Sequence, residues 1–282
     1  MKLLRYGPKG REKPGMLDDD GKLRDLSGHV ADIAGDTLSQ KGLAALKAID
    51  PASLPTVEGS PRYGAPVGGV SKILCIGLNY SDHAAETGAE PPIEPIIFTK
   101  QINALCGPND DVEMPRGSDA LDWEVELAVI IGARAKYVSQ SEAMDYVAGF
   151  SVMNDMSERS FQIKRQGQWT KGKSHDTFGP LGPWLVTKDE VSDPHDLDMW
   201  LDVNGERRQT GTTSTLIFNL PHVVSYVSQF MTLMPGDVIT TGTPPGVGMG
   251  MKPPQYLKVG DVMTLGIDGL GEQKQTVIPA RD

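Results

Sequence analysis

The sequence predicts an α+β fold in which strands dominate. Gly (32) and Pro (21) fall as punctuation between short apolar runs, the pattern of many strands joined by turns. Two runs follow Gly-Asp turns and another turns over Asn-Gly, pairs that favour tight turns. The strict strand–helix alternation that a doubly wound sheet requires is absent.

In chain order, residues 1–50 read as short strands with a hairpin signal at Asp19-Asp20-Gly21, then a helix over Leu38 to Ile49. Pro51 to Gly69 shows neither helical nor strand period. It is read as a linker, with residues 1–69 a small N-terminal domain and 70–282 the larger one. Lys72 to Gly77, Pro95 to Thr99 and Asp122 to Ile131 are compact strands. A helix is expected to open on the capping-box pattern at Ser139–Glu142, followed by a strand over Ala148 to Asn154. Asp198 to Val203 turns over Asn204-Gly205 into Glu206 to Thr210, a hairpin. Pro221 begins an amphipathic helix to about Phe230, with Val223, Val224, Val227 and Phe230 on its inner face. Val238 to Thr241 and Asp261 to Ile267 complete the strands.

Charge narrows the function. With 27 Lys and Arg against 37 Asp and Glu, the net charge of −10 speaks against a nucleic-acid surface, which needs clustered cations. An anionic small molecule needs only a local cation and stays open. The first residues hold no apolar run long enough for a secretory leader, and Leu127 to Ile131 is far short of the ~20 residues that span a bilayer. Cys75 and Cys106 form no Cys-x-x-Cys pair, and two buried free thiols in the cytoplasm is the expectation.

The chemistry concentrates in a few places. Glu124 and Glu126, two apart in a strand, point to one side, while Trp123, Val125, Leu127, Val129 and Ile131 take the other. The Glu face continues as Ala128 and Ile130, which suits a solvated surface poorly. Two carboxylates on a partly buried face repel and lose hydration, and a hard divalent cation removes both costs. A solvated face is the alternative. Asp155, ending the next strand, is placed to join them. An all-oxygen set favours Mg²⁺ or Mn²⁺ over Zn²⁺. Arg159, Gln162, Lys171 and Lys173 follow, either as partners for an anionic substrate or as surface charges. Arg159 and Gln162 share a face if helical.

His83 and Glu86, three apart, also share a face on a short helix capped by Ser81 or Asp82 and ended by Gly88. Glu86 would orient and polarise the imidazole, as a general base requires; an incidental surface pair is the alternative. His29, His175, His195 and His222 have no such company. Thr240 to Gly250 is a glycine-rich loop without the spacing of a phosphate loop or a dinucleotide fingerprint. Its amides and the Thr243 hydroxyl are suited to approach an anion such as a carboxylate.

Taken in order, Gly77-Leu78-Asn79-Tyr80-Ser81-Asp82-His83, Asp122-Trp123-Glu124-Val125-Glu126-Leu127, Asn154-Asp155, Lys173, Asn204-Gly205-Glu206, Pro235-Gly236-Asp237-Val238-Ile239 and Thr241-Gly242-Thr243-Pro244-Pro245-Gly246-Val247-Gly248 resemble the fumarylacetoacetate hydrolase family over roughly residues 70–280. The resemblance implies a mixed β-roll with a small N-terminal domain, a homodimer, and Mg²⁺ or Mn²⁺ on Glu124, Glu126 and Asp155. It places His83 and Glu86 on a lid as the catalytic pair, with Lys173, Gln162 and Thr243 lining the site beside Arg159. It implies action on a 2-keto or 2,4-diketo acid: hydrolysis of an acylpyruvate C–C bond, or decarboxylation, lysis or isomerisation of a related acid, with a non-catalytic 2-keto-acid-binding protein as the remote alternative. Met1 to Gly7 and Asp176 to Trp184 resemble a sugar-acid branch that includes 2,4-diketo-3-deoxy-L-fuconate and -rhamnonate hydrolases, often labelled ureidoglycolate lyase.

Overall fold

The computed structural model describes residues 1–88 and 90–281. Strands β1 (Lys2–Tyr6), β2 (Lys13–Leu17) and β3 (Leu23–Asp25) lead to helix α1 (Gln40–Lys47), whose N-cap Ser39 accepts from the Gly42 amide. Then come β4 (Ile73–Gly77), α2 (Ser81–Thr87), β5 (Ile96–Lys100), β6 (Leu105–Cys106) and β7 (Val112–Met114). The centre holds β8 (Leu121–Asp122), β9 (Val125–Ile131), β10 (Val147–Asn154), β11 (Ser157–Glu158), the short helix α3 (Thr170–Lys173) and β12 (Gly179–Thr187). The chain ends with β13 (Asp198–Val203), β14 (Glu206–Thr212), α4 (Leu220–Phe230), β15 (Val238–Thr240), β16 (Val262–Ile267) and β17 (Gly271–Pro279).

The strands form a mixed ten-stranded sheet in the order β3-β2-β1-β12-β10-β9-β15-β4-β5, with β6 alongside β12. A five-stranded sheet, β14-β13-β16-β17-β7, packs against it, and β8 pairs with β11 separately. Strand β9 lies between two cores. Val125, Leu127, Val129 and Ile131 join the larger cluster with β13, β16 and α4, while Ala128 and Ile130 join a second with Leu3, Leu38, Ile73 and Leu185. Burying each such aliphatic side chain contributes roughly 1.5–3 kcal/mol, so β9 is held firmly on both faces.

The expected strand over Asp122–Ile131 is interrupted. β8 and β9 are separate, and the backbone between them at Trp123 and Glu124 leaves regular pairing. The helix expected after Ser139 is a single 3₁₀ turn at Ala143–Tyr146, although Ser139 Oγ does donate to Glu142 at 2.7 Å. Phe230 is exposed rather than inward, while Val223, Val224 and Val227 are fully buried. Residues 51–69 do not span open space as a linker. Tyr63 bridges Tyr6, Thr56 bridges Arg24, and Ala65 and Val67 are buried in the second cluster. The N-terminal region is tied to the main sheet through β1 against β12. Cys75 and Cys106 are buried and free. Among the described residues no helix is long and apolar enough to cross a membrane.

Candidate active site

The register of β9 against β10 creates the site. Met153 lies opposite Glu126 and Asn154 opposite Val125, so the residue after β10 falls beside the residue before β9. Asp155 donates its amide to the Glu124 carbonyl at 2.9 Å, and Asn154 Oδ1 accepts from the Glu124 amide at 3.1 Å. The three carboxylates expected as ligands therefore converge, with oxygens of Glu124, Glu126 and Asp155 all within 4.8 Å of one another.

Three cations surround them. Lys173 Nζ bonds Glu124 at 2.6 Å and Asp155 at 2.8 Å. Arg159 donates to Glu124 at 2.6 Å, to Asp122 at 2.8 Å and to the Gln162 side-chain oxygen Oε1 at 3.1 Å. Lys100, closing β5, is buried against Asp155 and donates to the Met156 carbonyl at 3.0 Å. Burial raises the pKa of the Glu124 carboxyl, but Arg159 and Lys173 outweigh it and hold the group well below the usual range. Burial, together with the charges of Asp155 and Glu124, pushes Glu126 up to about 8. Burial also depresses Lys100, whereas Lys173 rises because Asp155 and Glu124 overcome its own desolvation.

Glu126 accepts from the Gly242 amide at 3.0 Å and has no ion-pair partner among the described residues. It is the uncompensated member of a buried, all-oxygen set, which fits a hard divalent cation. With all groups ionised, the carboxylates of Asp122, Glu124, Glu126 and Asp155 against three cations leave −1. A divalent ion turns this to +1, the sign an anionic substrate needs.

Helix α2 carries the second pair. His83 Nδ1 and Glu86 Oε2 are 3.0 Å apart, and His83 is nearly buried. Neither Ser81 nor Asp82 caps the helix from outside: the N-cap is Tyr80, without a side-chain bond, and Gly88 closes the helix at φ 66°. Asn79 does the anchoring. Its side chain donates to Thr241 and Phe218 carbonyls at 2.9 and 3.1 Å and accepts from the Phe218 amide at 2.8 Å. Ala89, within the segment expected as a lid, lies outside the described residues.

The glycine-rich loop does approach carboxylates, but they are the protein's own. Gly242 N–H serves Glu126, Gly246 N–H serves Glu86 at 3.1 Å, and Gly248 and Met249 N–H serve Asp122 at 2.7 and 3.0 Å. Gly246, at φ 103°, has no room for a side chain: a Cβ would stand 1.9 Å from the Arg208 carbonyl oxygen. Gly172 plays a similar part under Lys173, since a Cβ there would meet the Glu158 carbonyl oxygen at 2.4 Å.

These groups open on one cavity of about 250 Å³, lined among others by His83, Glu124, Glu126, Arg159, Gln162, Lys173 and Thr243. Its apolar wall includes Phe98 and Trp169, packed edge to face at 5.0 Å between ring centres. Asp155 is fully buried outside that lining. The Thr243 hydroxyl is engaged internally, donating to the Val125 carbonyl at 2.9 Å and accepting from Gln209 at 2.8 Å. Gln162 sits on a π-helical turn, Ser160–Lys164, rather than the expected α-helix, yet still meets Arg159. Lys171 is exposed and turns to the Arg165 carbonyl.

Sequence reading missed Lys100, Asp122 and Asn79. A lysine closing the apolar run Ile96–Phe98 was the available signal for the first. Asn79 and Asp122 stand in the motifs that carry the family resemblance, but no local pattern gave either a role.

A family model described as fumarylacetoacetate (FAA) hydrolase C-terminal matches residues 72–278. The chain belongs to the fumarylacetoacetate hydrolase family. A Burkholderia multivorans protein provisionally named a hydrolase is 61% identical over 282 residues, covering all of both chains. Among solved structures, maleylpyruvate hydrolase from Sphingobium sp. SYK-6, in complex with manganese(II) and pyruvate, matches with TM-score 0.82 and 29% identity over all of both chains. A 5-carboxymethyl-2-hydroxymuconate delta-isomerase from Mycobacterium smegmatis matches at 0.77 and 31%, again over all of both. As a fumarylacetoacetate hydrolase family member with an acidic cluster able to hold a metal ion, the chain is an enzyme type that acts on small keto or diketo acids. The family holds both hydrolases and isomerases.

Proposed function

We propose that this protein hydrolyses the C3–C4 bond of a 2,4-diketo acid, releasing pyruvate and a second carboxylic acid. The observation that carries the reading is one cavity lined both by His83, which Glu86 holds, and by Glu124 and Glu126 of the carboxylate cluster. Glu124, Glu126 and Asp155 would hold Mg²⁺ or Mn²⁺, and the bound ion supplies Lewis acidity toward the 1-carboxylate and 2-keto oxygens. Glu86, fixed by Gly246 N–H, holds His83 through Nδ1, which assigns the role of base to Nε2. Nε2 takes a proton from water, whose oxygen adds to C4. The C3–C4 electron pair then leaves as a pyruvate enolate, and the proton returns at C3. Lys173 and Arg159 offset negative charge as it develops, an effect commonly worth about 3–4 kcal/mol per donor. Gln162 and the Thr243 backbone border the substrate.

The isomerase relative favours one competing reading in the same cavity, a proton shift without water addition. Product analysis of acylpyruvates, oxaloacetate, ureidoglycolate and a 2-hydroxymuconate-type acid, each with Mg²⁺, Mn²⁺ or chelator, separates them. Pyruvate plus an acid, lost in chelator, is the expected result; isomer or CO₂ alone refutes hydrolysis. The sugar-acid branch belongs to this proposal too, though the first stretch that suggests it pairs in the sheet with the residues just after the second, Lys2 opposite Val186 and Leu3 opposite Leu185, and Lys2 lies over the Trp184 ring. They report sheet architecture rather than a substrate contact. A cytoplasmic homodimer completes the proposal; the two free buried thiols support the compartment, and cell fractionation and light scattering test compartment and dimer in turn.

A further inference from the structure

Four buried side-chain atoms make no hydrogen bond among the described residues: His175 Nε2, Trp184 Nε1, Arg208 Nε and Thr240 Oγ1. The first three belong to half-buried side chains, but Thr240 is fully buried. A hydroxyl enclosed without a partner costs stability, and a valine would occupy the same strand position without that cost. Register shows what the hydroxyl faces. Thr240 ends β15 between Cys75 of β4 and Ala128 of β9, and paired residues share a side of the sheet. Val238 packs with Ala128 and Ile130 in the second cluster, whereas Ile239 joins the larger one, so the alternation agrees. Thr240 therefore lies on the side of β9 that carries Glu126, as its diagonal neighbour. Burial, Asp155 and Glu124 raise the Glu126 carboxyl, and Lys173 and the Thr240 hydroxyl oppose the rise, which places that hydroxyl beside the carboxylate.

We propose that Thr240 is a positioning residue for the metal site, its hydroxyl donating to the Glu126 carboxylate when a divalent ion is bound. The inference rests on the metal reading of Glu124, Glu126 and Asp155 above. Glu126 is the member of that set with the fewest restraints. Glu124 is held by Arg159 and Lys173, and Asp155 by Lys100 and Lys173. Among the described residues Glu126 has the Gly242 amide, on Oε2. A carboxylate gripped at one oxygen still turns about its terminal torsion, which is broad and soft. A second donor fixes that torsion, and a hydroxyl hydrogen can rotate to meet the carboxylate. The orphaned hydroxyl and the loosely held ligand thus answer each other. Both are satisfied in the loaded site and neither in the unloaded one.

The test titrates the chelator-treated full chain with Mn²⁺ by calorimetry. Thr240→Val should weaken binding about 10–100-fold, the usual cost of removing a group that orients a ligand. Thr240→Ser keeps the hydroxyl and should restore affinity to within about threefold of wild type. Thermal melts without metal separate positioning from structure. There Thr240→Val should melt no lower than wild type, because it removes a buried hydroxyl that has no partner. In a Glu126→Gln background, Thr240→Val should change Mn²⁺ affinity by less than about twofold, since the two groups act as one unit. Wild-type affinity in Thr240→Val, or no rescue by Thr240→Ser, overturns the role. So does a clearly lower melt without metal, which would make the hydroxyl part of the unloaded fold. An undiminished loss in the Glu126→Gln background overturns it as well, because the hydroxyl would then act on the ion rather than through Glu126. If wild type binds no Mn²⁺, the metal reading itself fails and this role falls with it; failure in the variants alone leaves that reading standing.

Discussion

Asp122→Asn should destabilise the protein far more than its distance from the substrate suggests. Asp122 is fully buried, and its two oxygens accept from Gly248 N–H at 2.7 Å, Met249 N–H at 3.0 Å, Trp123 N–H at 2.9 Å and Arg159 Nε at 2.8 Å. An amide of the same size turns one acceptor into a donor, which would face Arg159 and the Met249 amide or the Gly248 and Trp123 amides. Breaking a buried charge pair from one side costs about 3–5 kcal/mol. Arg159 keeps Glu124, so the lower end applies, ~3 kcal/mol. At roughly 2–4 °C per kcal/mol for a chain of this size, Tm should fall by about 6–12 °C. Thermal melts followed by circular dichroism give the value, with Asp202→Asn as reference, because the Asp202–Arg207 pair is more exposed and should cost under ~1 kcal/mol. A fall no larger than that of the reference would refute the idea that Asp122 couples the glycine-rich loop to Arg159.

Three further outcomes are expected. His83→Ala should lower kcat by roughly 10²–10⁴ with Mn²⁺ affinity by calorimetry nearly unchanged; loss of metal binding would make His83 a ligand instead. Glu126→Gln is the cleanest probe of the metal site, because Glu126 holds no cation, whereas losing Asp155 orphans buried Lys100 and losing Glu124 strips one partner each from Arg159 and Lys173. It should weaken Mn²⁺ binding at least about tenfold while the chelator-treated protein melts no lower than wild type; tight binding in the variant would refute the ligand set. Glu126 also sets a pH dependence in chelator-treated protein: its folded pKa of about 8 lies above the ordinary carboxyl value. Its contribution to stability is full below about pH 4.5 and is lost as pH rises toward 8. Urea midpoints of wild type and Glu126→Gln should therefore converge at acid pH and separate at pH 8, with the variant the more stable; parallel curves would contradict the shift.

Short-range periodicity is what the sequence by itself determined. Side chains two apart in a strand share a side, so Glu124 and Glu126 were legible together with the Ala128–Ile130 continuation that made a solvated face a poor fit. Residues three apart share a helix face, so His83 and Glu86 were legible as a pair. The Asn204-Gly205 hairpin and the Val223–Val227 stripe followed from equally local rules. The glycine-rich loop was legible as a loop suited to anions, but not as one whose anions are Glu86, Asp122 and Glu126. The tertiary structure alone decided which charges meet. Lys100 reaches Asp155 across 55 residues, Arg159 reaches Asp122 across 37, and Gly248 reaches Asp122 across 126. Those contacts depend on sheet order and on the β9–β10 register, where a shift of one residue would turn Glu126 from the cavity into the core. Local preference sets which way a side chain points, but burial of both faces of β9 sets what lies opposite it, and that is a property of the whole folded chain.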